Sequence, residues 1–131
     1  MRILIAEDDF ISRKILGKLL APYGDCDMAK NGREAVDVLR TAMDEGKPYD
    51  LVCLDIMMPE MDGLEVLKIV REMERETGVG KEKEAKIIMT TALDAPKDLL
   101  EVFHREGCTG YLVKPVDSQK LASMLQEYGP A

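Results

Sequence analysis

The sequence predicts an α/β protein built on a doubly wound, five-stranded parallel sheet. Short apolar runs alternate five times with amphipathic segments along nearly all of the 131 residues. Two of these runs, Leu51–Leu54 and Ile87–Met89, are apolar throughout, which is typical of strands covered by helices on both faces. Five strand–helix units with right-handed crossovers form one such sheet. We therefore expect a single domain over residues 1–131 with no attached output domain.

Each strand is predicted where a short run is apolar or rich in β-forming residues. The five runs are Arg2–Ala6, Asp25–Ala29, Leu51–Leu54, Lys86–Thr90 and Gly110–Val113. The helices between them are predicted from apolar residues that recur every three or four positions. These stripes are Ile11-Ile15-Leu16-Leu19-Leu20, Ala35-Val36-Leu39-Met43, Leu64-Leu67-Val70-Met73, Leu99-Leu100-Phe103 and Leu121-Met124-Leu125-Tyr128.

Helix ends are indicated by capping residues and by helix breakers. Asn31, with Glu34 three residues later, predicts the start of the second helix. Asp62 is the expected cap of the third helix, and Asp117 or Ser118 that of the fifth. The charged stretch from Glu72 to Lys86 is interpreted as a solvated helix end followed by a flexible loop.

Composition excludes several classes of function. The formal net charge is −7 and the basic residues are scattered, which argues against direct binding to nucleic acid or to an anionic membrane surface. No apolar run approaches the ~20 residues that span a bilayer. The amino terminus lacks the features of a signal peptide, so we expect a cytoplasmic protein. Cys26, Cys53 and Cys108 lack metal-ligand spacing and are interpreted as small buried apolar residues. His104 is interpreted as a surface or partly packed histidine.

Polar side chains follow four of the predicted strands. Glu7-Asp8-Asp9 follow the first strand, Asp55 the third, and Lys114-Pro115 the fifth, while Thr90-Thr91 end the fourth. In a doubly wound sheet these strand ends meet at one edge, where ligands bind. Clustered carboxylates repel one another, and Mg²⁺, which prefers oxygen ligands and bridges carboxylates to phosphates, relieves that repulsion. A carboxylate beside a cation and a hydroxyl suits phosphoryl transfer.

Four segments at these strand ends carry a family resemblance. They are AEDDFISRKIL (Ala6–Leu16), LDIMMPEMDG (Leu54–Gly63), Thr91-Ala92 and GYLVKP (Gly110–Pro115). Together they resemble the bacterial response-regulator receiver domain, in particular the free-standing receivers of chemotaxis. The resemblance covers essentially the whole chain and implies the flavodoxin-like strand order 2-1-3-4-5.

The resemblance assigns a role to each residue that matches the family's motif. Asp55 is similar to the phosphoacceptor. Asp8 and Asp9 are similar to the acid pair that holds Mg²⁺, Asp9 directly and Asp8 through water, and the Met57 carbonyl would add another ligand. Thr91 and Lys114 are similar to the pair that binds the phosphoryl group.

Further positions are assigned in the same way. Tyr111 matches the aromatic switch that moves inward with Thr91, and Lys114-Pro115 matches the family's cis peptide bond. Three neighbours are left outside the metal and phosphoryl shell: Glu7, Thr90 and Asp62. Met57 and Leu93 are apolar where many members carry side chains that orient a hydrolytic water, which predicts a long-lived aspartyl phosphate.

The function implied is that of a two-component phosphorelay regulator. Its phosphodonor would be a sensor histidine kinase or a histidine phosphotransfer protein, and it would catalyse only its own phosphorylation and dephosphorylation. The signal would leave through the face formed by the fourth helix, fifth strand and fifth helix. The target on that face, which is either an unknown downstream protein or a second copy in a phosphorylation-dependent homodimer, stays open.

Three other classes of protein share this fold and are alternatives for the function. A magnesium-dependent phosphohydrolase with an aspartyl nucleophile places a second acid two residues after it, where this chain has Met57. A receiver-fold interaction module that works without phosphorylation usually lacks the acceptor, one acid or the lysine, and this chain has all of them. A flavodoxin-type flavin protein needs a hydroxyl- and glycine-rich first loop, whereas Glu7-Asp8-Asp9 would repel a phosphate there.

Overall fold

The structure is a computed structural model that describes residues 1–92 and 96–129. Its sheet contains five parallel strands in the order β2-β1-β3-β4-β5. The strands are β1 Arg2–Ala6, β2 Asp25–Ala29, β3 Leu51–Asp55, β4 Lys86–Thr91 and β5 Gly110–Val113. The helices are α1 Phe10–Leu20, α2 Gly32–Asp44, α3 Gly63–Glu76, α4 Lys97–Arg105 and α5 Ser118–Tyr128, with 3₁₀ turns at Ala21–Tyr23 and Lys81–Lys83.

The predicted flavodoxin-like sheet is confirmed, and β1, β2 and β5 begin and end where the sequence predicted. The other two strands are each one residue longer, because the ladder continues to the edge of the sheet. Asp55 pairs with Thr90 across β3 and β4, and Thr91 pairs with Val113 across β4 and β5. The acceptor candidate Asp55 is therefore held by strand geometry rather than by a loop.

Two apolar cores lie on opposite faces of the sheet. One face packs against α2, α3 and α4, through residues such as Leu39, Val70 and Phe103. The other packs against α1 and α5, through Leu20 and Leu121. Each fully buried aliphatic side chain contributes about 1.5–3 kcal/mol to folding. This packing makes the sheet a rigid support for the side chains at its edge.

The predicted helix caps are confirmed by hydrogen bonds to side-chain oxygens. Asn31 accepts from the backbone N–H of Glu34 at 2.8 Å, and Asp62 from that of Glu65 at 2.9 Å. At the fifth helix the cap is Asp117 rather than Ser118. Caps of this kind each stabilise a protein by about 1 kcal/mol.

The interpretation of Glu72 to Lys86 as solvated is wrong for its buried members. Helix α3 continues to Glu76, and Glu74 is buried within it. The Glu74 carboxylate accepts from the Arg71 guanidinium at 2.6 Å and from the backbone N–H of Ala85 at 2.8 Å. Arg71 also donates to the carbonyl of Gly107 at 2.8 and 3.0 Å. The pair joins α3 to the segments that precede β4 and β5.

The cysteines and the histidine lie where the sequence placed them. Cys53 and Cys108 are buried, Cys26 is half-buried, and all three are free thiols. Burial raises the pKa of Cys53 to about 12, which keeps that thiol unreactive. His104 is exposed on α4. Among the residues that the structure describes, no helix is both long and apolar enough to cross a membrane.

Candidate functional site

The acceptor candidate Asp55 ends β3 and is 5% exposed. Its Oδ1 accepts from the backbone N–H of Met57 at 3.4 Å. The ammonium nitrogen of Lys114, just beyond β5, lies 3.5 Å from the same oxygen. A carboxylate and a cation from two strands therefore meet at the carboxyl edge of the sheet, as predicted.

Glu7 is the most deeply buried acid of the site. Its side chain is fully buried, and its Oε1 accepts from Lys114 Nζ at 2.7 Å. Its Oε2 accepts from the backbone N–H of Asp9 at 3.3 Å. The lysine thus lies closer to Glu7 than to Asp55.

The carboxylates that gather here differ by one residue from the expected set. Ligand oxygens of Glu7, Asp8 and Asp55 all lie within 4.8 Å of one another. The carboxylate of Asp9 instead accepts from the backbone N–H of Ser12 at 2.9 Å and caps α1. The family resemblance assigned Asp9 to the metal and left Glu7 outside it, whereas in the structure Glu7 joins the cluster and Asp9 caps α1.

The charges of Glu7, Asp55 and Lys114 depend on one another. Burial raises the pKa of Asp55 to about 7, and the neighbouring Glu7 carboxylate adds to the rise, against the opposing effect of Lys114. Burial also acts to raise the pKa of Glu7, but hydrogen bonds with Asp55 and Lys114 outweigh it, so that pKa is lowered. Burial would lower the pKa of Lys114, yet the two carboxylates hold it above its usual value. Without a further cation, Asp55 is therefore the first of the two carboxyls to take up a proton as the pH falls.

This donor set fits a hard divalent cation. All three side chains offer carboxylate oxygens, the ligands that Mg²⁺ prefers. One ammonium, that of Lys114, faces the acids, so a second positive charge would stabilise the ionised form of Asp55. The residues Glu7, Asp8 and Asp55 are those that could hold it.

The residues assigned to the switch lie on the two neighbouring strands β4 and β5. Thr91 ends β4 and is 4% exposed, with its hydroxyl 3.4 Å from the carbonyl of Ala92. Tyr111 is 45% exposed on β5. The peptide bond between Lys114 and Pro115 is cis.

Of the two apolar positions that the family resemblance places beside the phosphoryl group, the structure describes Met57. Met57 is 76% exposed beside Asp55, whereas Leu93 lies outside the described residues. Thr90, the register partner of Asp55, is buried, and its hydroxyl has no hydrogen-bond partner among the described residues.

Comparison with known proteins decides the family. A family model described as the response regulator receiver domain matches residues 3–126. The chain belongs to this family. Receiver domains are signalling domains of two-component phosphorelays.

The relatives of this receiver domain include eukaryotic proteins. The peroxide stress-activated histidine kinase mak3 of Schizosaccharomyces pombe is 37% identical over 129 residues, which are 97% of this chain and 5% of that protein. The chain spans 4% to 20% of the length of the similar curated proteins. These relatives therefore do not support the expectation that the domain resembles bacterial receivers, and those of chemotaxis in particular.

Two solved structures show the same fold. One is a co-crystal structure of the Saccharomyces cerevisiae histidine phosphotransfer protein Ypd1 with the receiver domain of its downstream response regulator Ssk1. The match has 29% identity and a TM-score of 0.80, and it covers 98% of this chain and 88% of that one. The other is the receiver domain of the Arabidopsis thaliana histidine kinase CKI1 complexed with Mg²⁺ and BeF₃⁻. It has 27% identity and a TM-score of 0.82, and covers 97% of this chain and 88% of that one.

Proposed function

We propose that this receiver domain accepts a phosphoryl group from a phosphohistidine onto Asp55, with Mg²⁺ held by Glu7, Asp8, Asp55 and the carbonyl of Met57. The observation that carries the proposal is the Asp55 carboxylate itself. It is 5% exposed at the sheet edge, has two other carboxylates within 4.8 Å and has the Lys114 ammonium 3.5 Å away.

The transfer is a displacement at phosphorus. A carboxylate oxygen of Asp55 forms the new P–O bond while the P–N bond to the donor imidazole breaks. The electron pair of that bond stays on the imidazole nitrogen, which takes a proton from solvent. Lys114 would neutralise charge on a phosphoryl oxygen, and the Thr91 hydroxyl would donate to another. Bound Mg²⁺ would supply further charge neutralisation and would favour the ionised acceptor.

The surface around the acceptor suits a protein as phosphodonor. Four apolar side chains on α1 and in the segment that follows Asp55 are 48% to 76% exposed: Phe10, Ile11, Ile15 and Met57. Exposed apolar patches of this kind mark protein-binding surfaces. The related Ssk1 receiver forms a complex with the phosphotransfer protein Ypd1, and we assign a histidine phosphotransfer protein or a histidine kinase to this surface.

The phosphorylated domain would signal by a shift between two conformations. Thr91 would move towards the phosphoryl group and the half-exposed Tyr111 would turn inward, which alters the surface of α4, β5 and α5. A downstream protein that prefers one conformation would read the change there.

Intact-mass spectrometry tests the proposal. The chain is incubated with a small acyl phosphate and Mg²⁺, and we expect the mass of one phosphoryl group to be added and the addition to be lost with a chelator. If neither an acyl phosphate nor phosphorylated histidine phosphotransfer proteins transfer a phosphoryl group, the domain is an interaction module that works without phosphorylation.

The ligand set makes a prediction that separates Asp8 from Asp9. Asp8→Asn is expected to weaken Mg²⁺ binding at least tenfold, because supporting groups of metal sites are already worth about 10- to 100-fold. Asp9→Asn changes the net charge equally but should leave affinity nearly unchanged, because Asn caps a helix about as well as Asp. A titration followed by NMR amide shifts measures both. A larger loss of Mg²⁺ affinity in Asp9→Asn than in Asp8→Asn would instead support the ligand set expected from the sequence, in which Asp9 contacts the metal directly.

The exposed side chain of Met57 predicts slow loss of the phosphoryl group. Met57→Asn places a polar group where it would orient water against the aspartyl phosphate. We expect hydrolysis to accelerate about tenfold, which is less than the effect of a general acid or base because the amide only orients the water. The decay of the phosphorylated mass after the donor is removed gives the rate, with Met57→Leu as control. Equal hydrolysis rates for the wild type, Met57→Asn and Met57→Leu would show that Met57 does not determine the lifetime of the aspartyl phosphate.

A further inference from the structure

The side chain of Arg13 is bound to the short link that carries two of the clustered acids. Its Nη1 donates to the carbonyl of Glu7 at 2.9 Å and lies 3.4 Å from that of Asp8. Its backbone N–H donates to the carbonyl of Asp9 at 2.9 Å. One half-buried residue of α1 therefore contacts three consecutive carbonyls.

These carbonyls belong to the link between two regular elements. β1 ends at Ala6 and α1 begins at Phe10, so residues 7 to 9 belong to neither element and their conformation depends on other contacts. The backbone N–H of Glu7 is held by the carbonyl of Ala29 at 3.1 Å. The Arg13 guanidinium supplies the corresponding support on the carbonyl side, where peptide groups away from water need a partner.

The orientation of two acids depends on this support. The Glu7 side chain is fully buried against Lys114, whereas Asp8 is exposed and reaches the cluster from the surface. A rotation of the link would turn the Asp8 carboxylate away from Asp55. Binding sites require their groups within about 0.5 Å of the working geometry, which neighbouring residues must enforce.

We propose that Arg13 is a positioning residue of the metal site, which holds the Glu7–Asp8 link so that both carboxylates face Asp55. The inference rests on the proposed function, since it concerns the affinity of that site for Mg²⁺. It assigns Arg13 no direct contact with the metal or with the phosphoryl group.

Lys14 provides a matched control. Lys14 is the next residue of the same helix and is also a cation near the Phe10 ring. Its ammonium lies 5.8 Å from the ring centroid, and the guanidinium carbon of Arg13 lies 5.6 Å from it. It is exposed, and no hydrogen bond joins its side chain to the Glu7–Asp8 link among the described residues. Arg13→Met and Lys14→Met therefore remove the same charge from the same turn, and only the first removes the hydrogen bonds.

The charge effect and the positioning effect have opposite signs. Removal of a nearby cation should by itself tighten the binding of Mg²⁺ slightly. Loss of the support should weaken it, by about tenfold if Arg13 acts like other groups that orient metal ligands. A weaker affinity in Arg13→Met is therefore not explained by charge.

The experiment is a Mg²⁺ titration of the wild type, Arg13→Met, Arg13→Lys and Lys14→Met, followed by NMR amide shifts, with folding checked by circular dichroism. We expect about tenfold weaker binding for Arg13→Met, partial recovery in Arg13→Lys and less than a twofold change in Lys14→Met. Metal-free spectra should show the amides of Glu7 and Asp8 shifted in Arg13→Met alone.

The outcomes separate the two proposals. If the wild type binds Mg²⁺ and Arg13→Met binds it as tightly as Lys14→Met does, the positioning role is overturned and the proposed function stands. If Arg13→Met does not fold, Arg13→Gln is compared with Lys14→Gln, and equal Mg²⁺ affinities of these two variants overturn the role instead. If the wild type binds no Mg²⁺ and takes up no phosphoryl group, both proposals fail.

Discussion

Asp55→Asn is expected to abolish phosphoryl uptake. The amide that replaces the carboxylate keeps its size but provides no anionic oxygen to attack phosphorus, so nucleophilic catalysis is lost rather than slowed. The wild type should gain the mass of one phosphoryl group from an acyl phosphate and Mg²⁺, and the variant none. A phosphoryl group found on Asp55→Asn would move the acceptor to another residue, which peptide mass spectra would identify.

The same substitution is expected to raise the free energy of unfolding, which excludes misfolding as the cause of lost uptake. The pKa of Asp55 is raised from its ordinary 3.8 to about 7. The stability that protonated Asp55 contributes is therefore complete below about pH 4 and is lost as the pH rises through about 7. Asn cannot ionise, so at about pH 8 without Mg²⁺ we expect Asp55→Asn to be more stable by roughly 2–4 kcal/mol.

Urea unfolding at several pH values measures this effect. The difference in unfolding free energy between Asp55→Asn and the wild type should be small near pH 4, should grow up to about pH 7 and should then level off. Excess Mg²⁺ should reduce the difference, because the ion binds the folded wild type more tightly than the variant. A constant difference across this range would contradict the raised pKa of Asp55.

The alternation of strands and helices was predictable because both faces of this sheet are covered. Leu51–Leu54 is apolar at every position, and such a run has few alternatives to a buried strand. The ends of β3 and β4 were less predictable. Asp55 and Thr91 are polar, and they join their strands because their backbones pair with those of Thr90 and Val113, a tertiary effect that a local pattern does not contain.

The roles of three consecutive acids were harder to assign. Glu7, Asp8 and Asp9 offer the same chemical group, and β1 gives no alternation that would fix which side chain points into the site, because Ile3 to Ala6 are all buried. One signal was available: Asp9 stands directly before the first helical residue, the position at which Asp is a favoured cap. That assignment leaves Glu7 and Asp8 as the acids that face Asp55.

The buried pair in α3 was not predictable from local pattern. Arg71 and Glu74 are charged residues three positions apart on a helix, a spacing that usually indicates an exposed ion pair. The turn containing Gly107, 36 residues from Arg71 in sequence, and the segment around Ala85, which returns to α3 after the loop that follows it, cover this pair. Burial of the pair therefore follows from the assembled fold.

Arg71→Met is expected to lower the free energy of unfolding by about 3–5 kcal/mol, the range found when one partner of a buried ion pair is removed. The loss has two parts. Glu74, 5% exposed, is left without its counter-charge, and the carbonyls of Ala85 and Gly107 lose the donor that reaches them at 2.8 to 3.0 Å. Both parts leave polar groups buried without partners, which costs more than an exposed contact is worth.

Arg75→Met is the matched control, because it lies on the same helix and makes the same kind of pair. Arg75 contacts Glu72 at 2.6 Å with the same spacing of three residues, but the two side chains are 68% and 58% exposed. We expect a loss of about 0–1 kcal/mol. Urea unfolding of both variants, followed by circular dichroism, compares them directly. Equal losses in the two variants would mean that helix propensity and charge determine what Arg71 contributes, rather than its burial and its hydrogen bonds to Ala85 and Gly107. A difference above about 2 kcal/mol would show that the buried pair stabilises the contact between α3 and the strands that lead to Thr91 and Lys114.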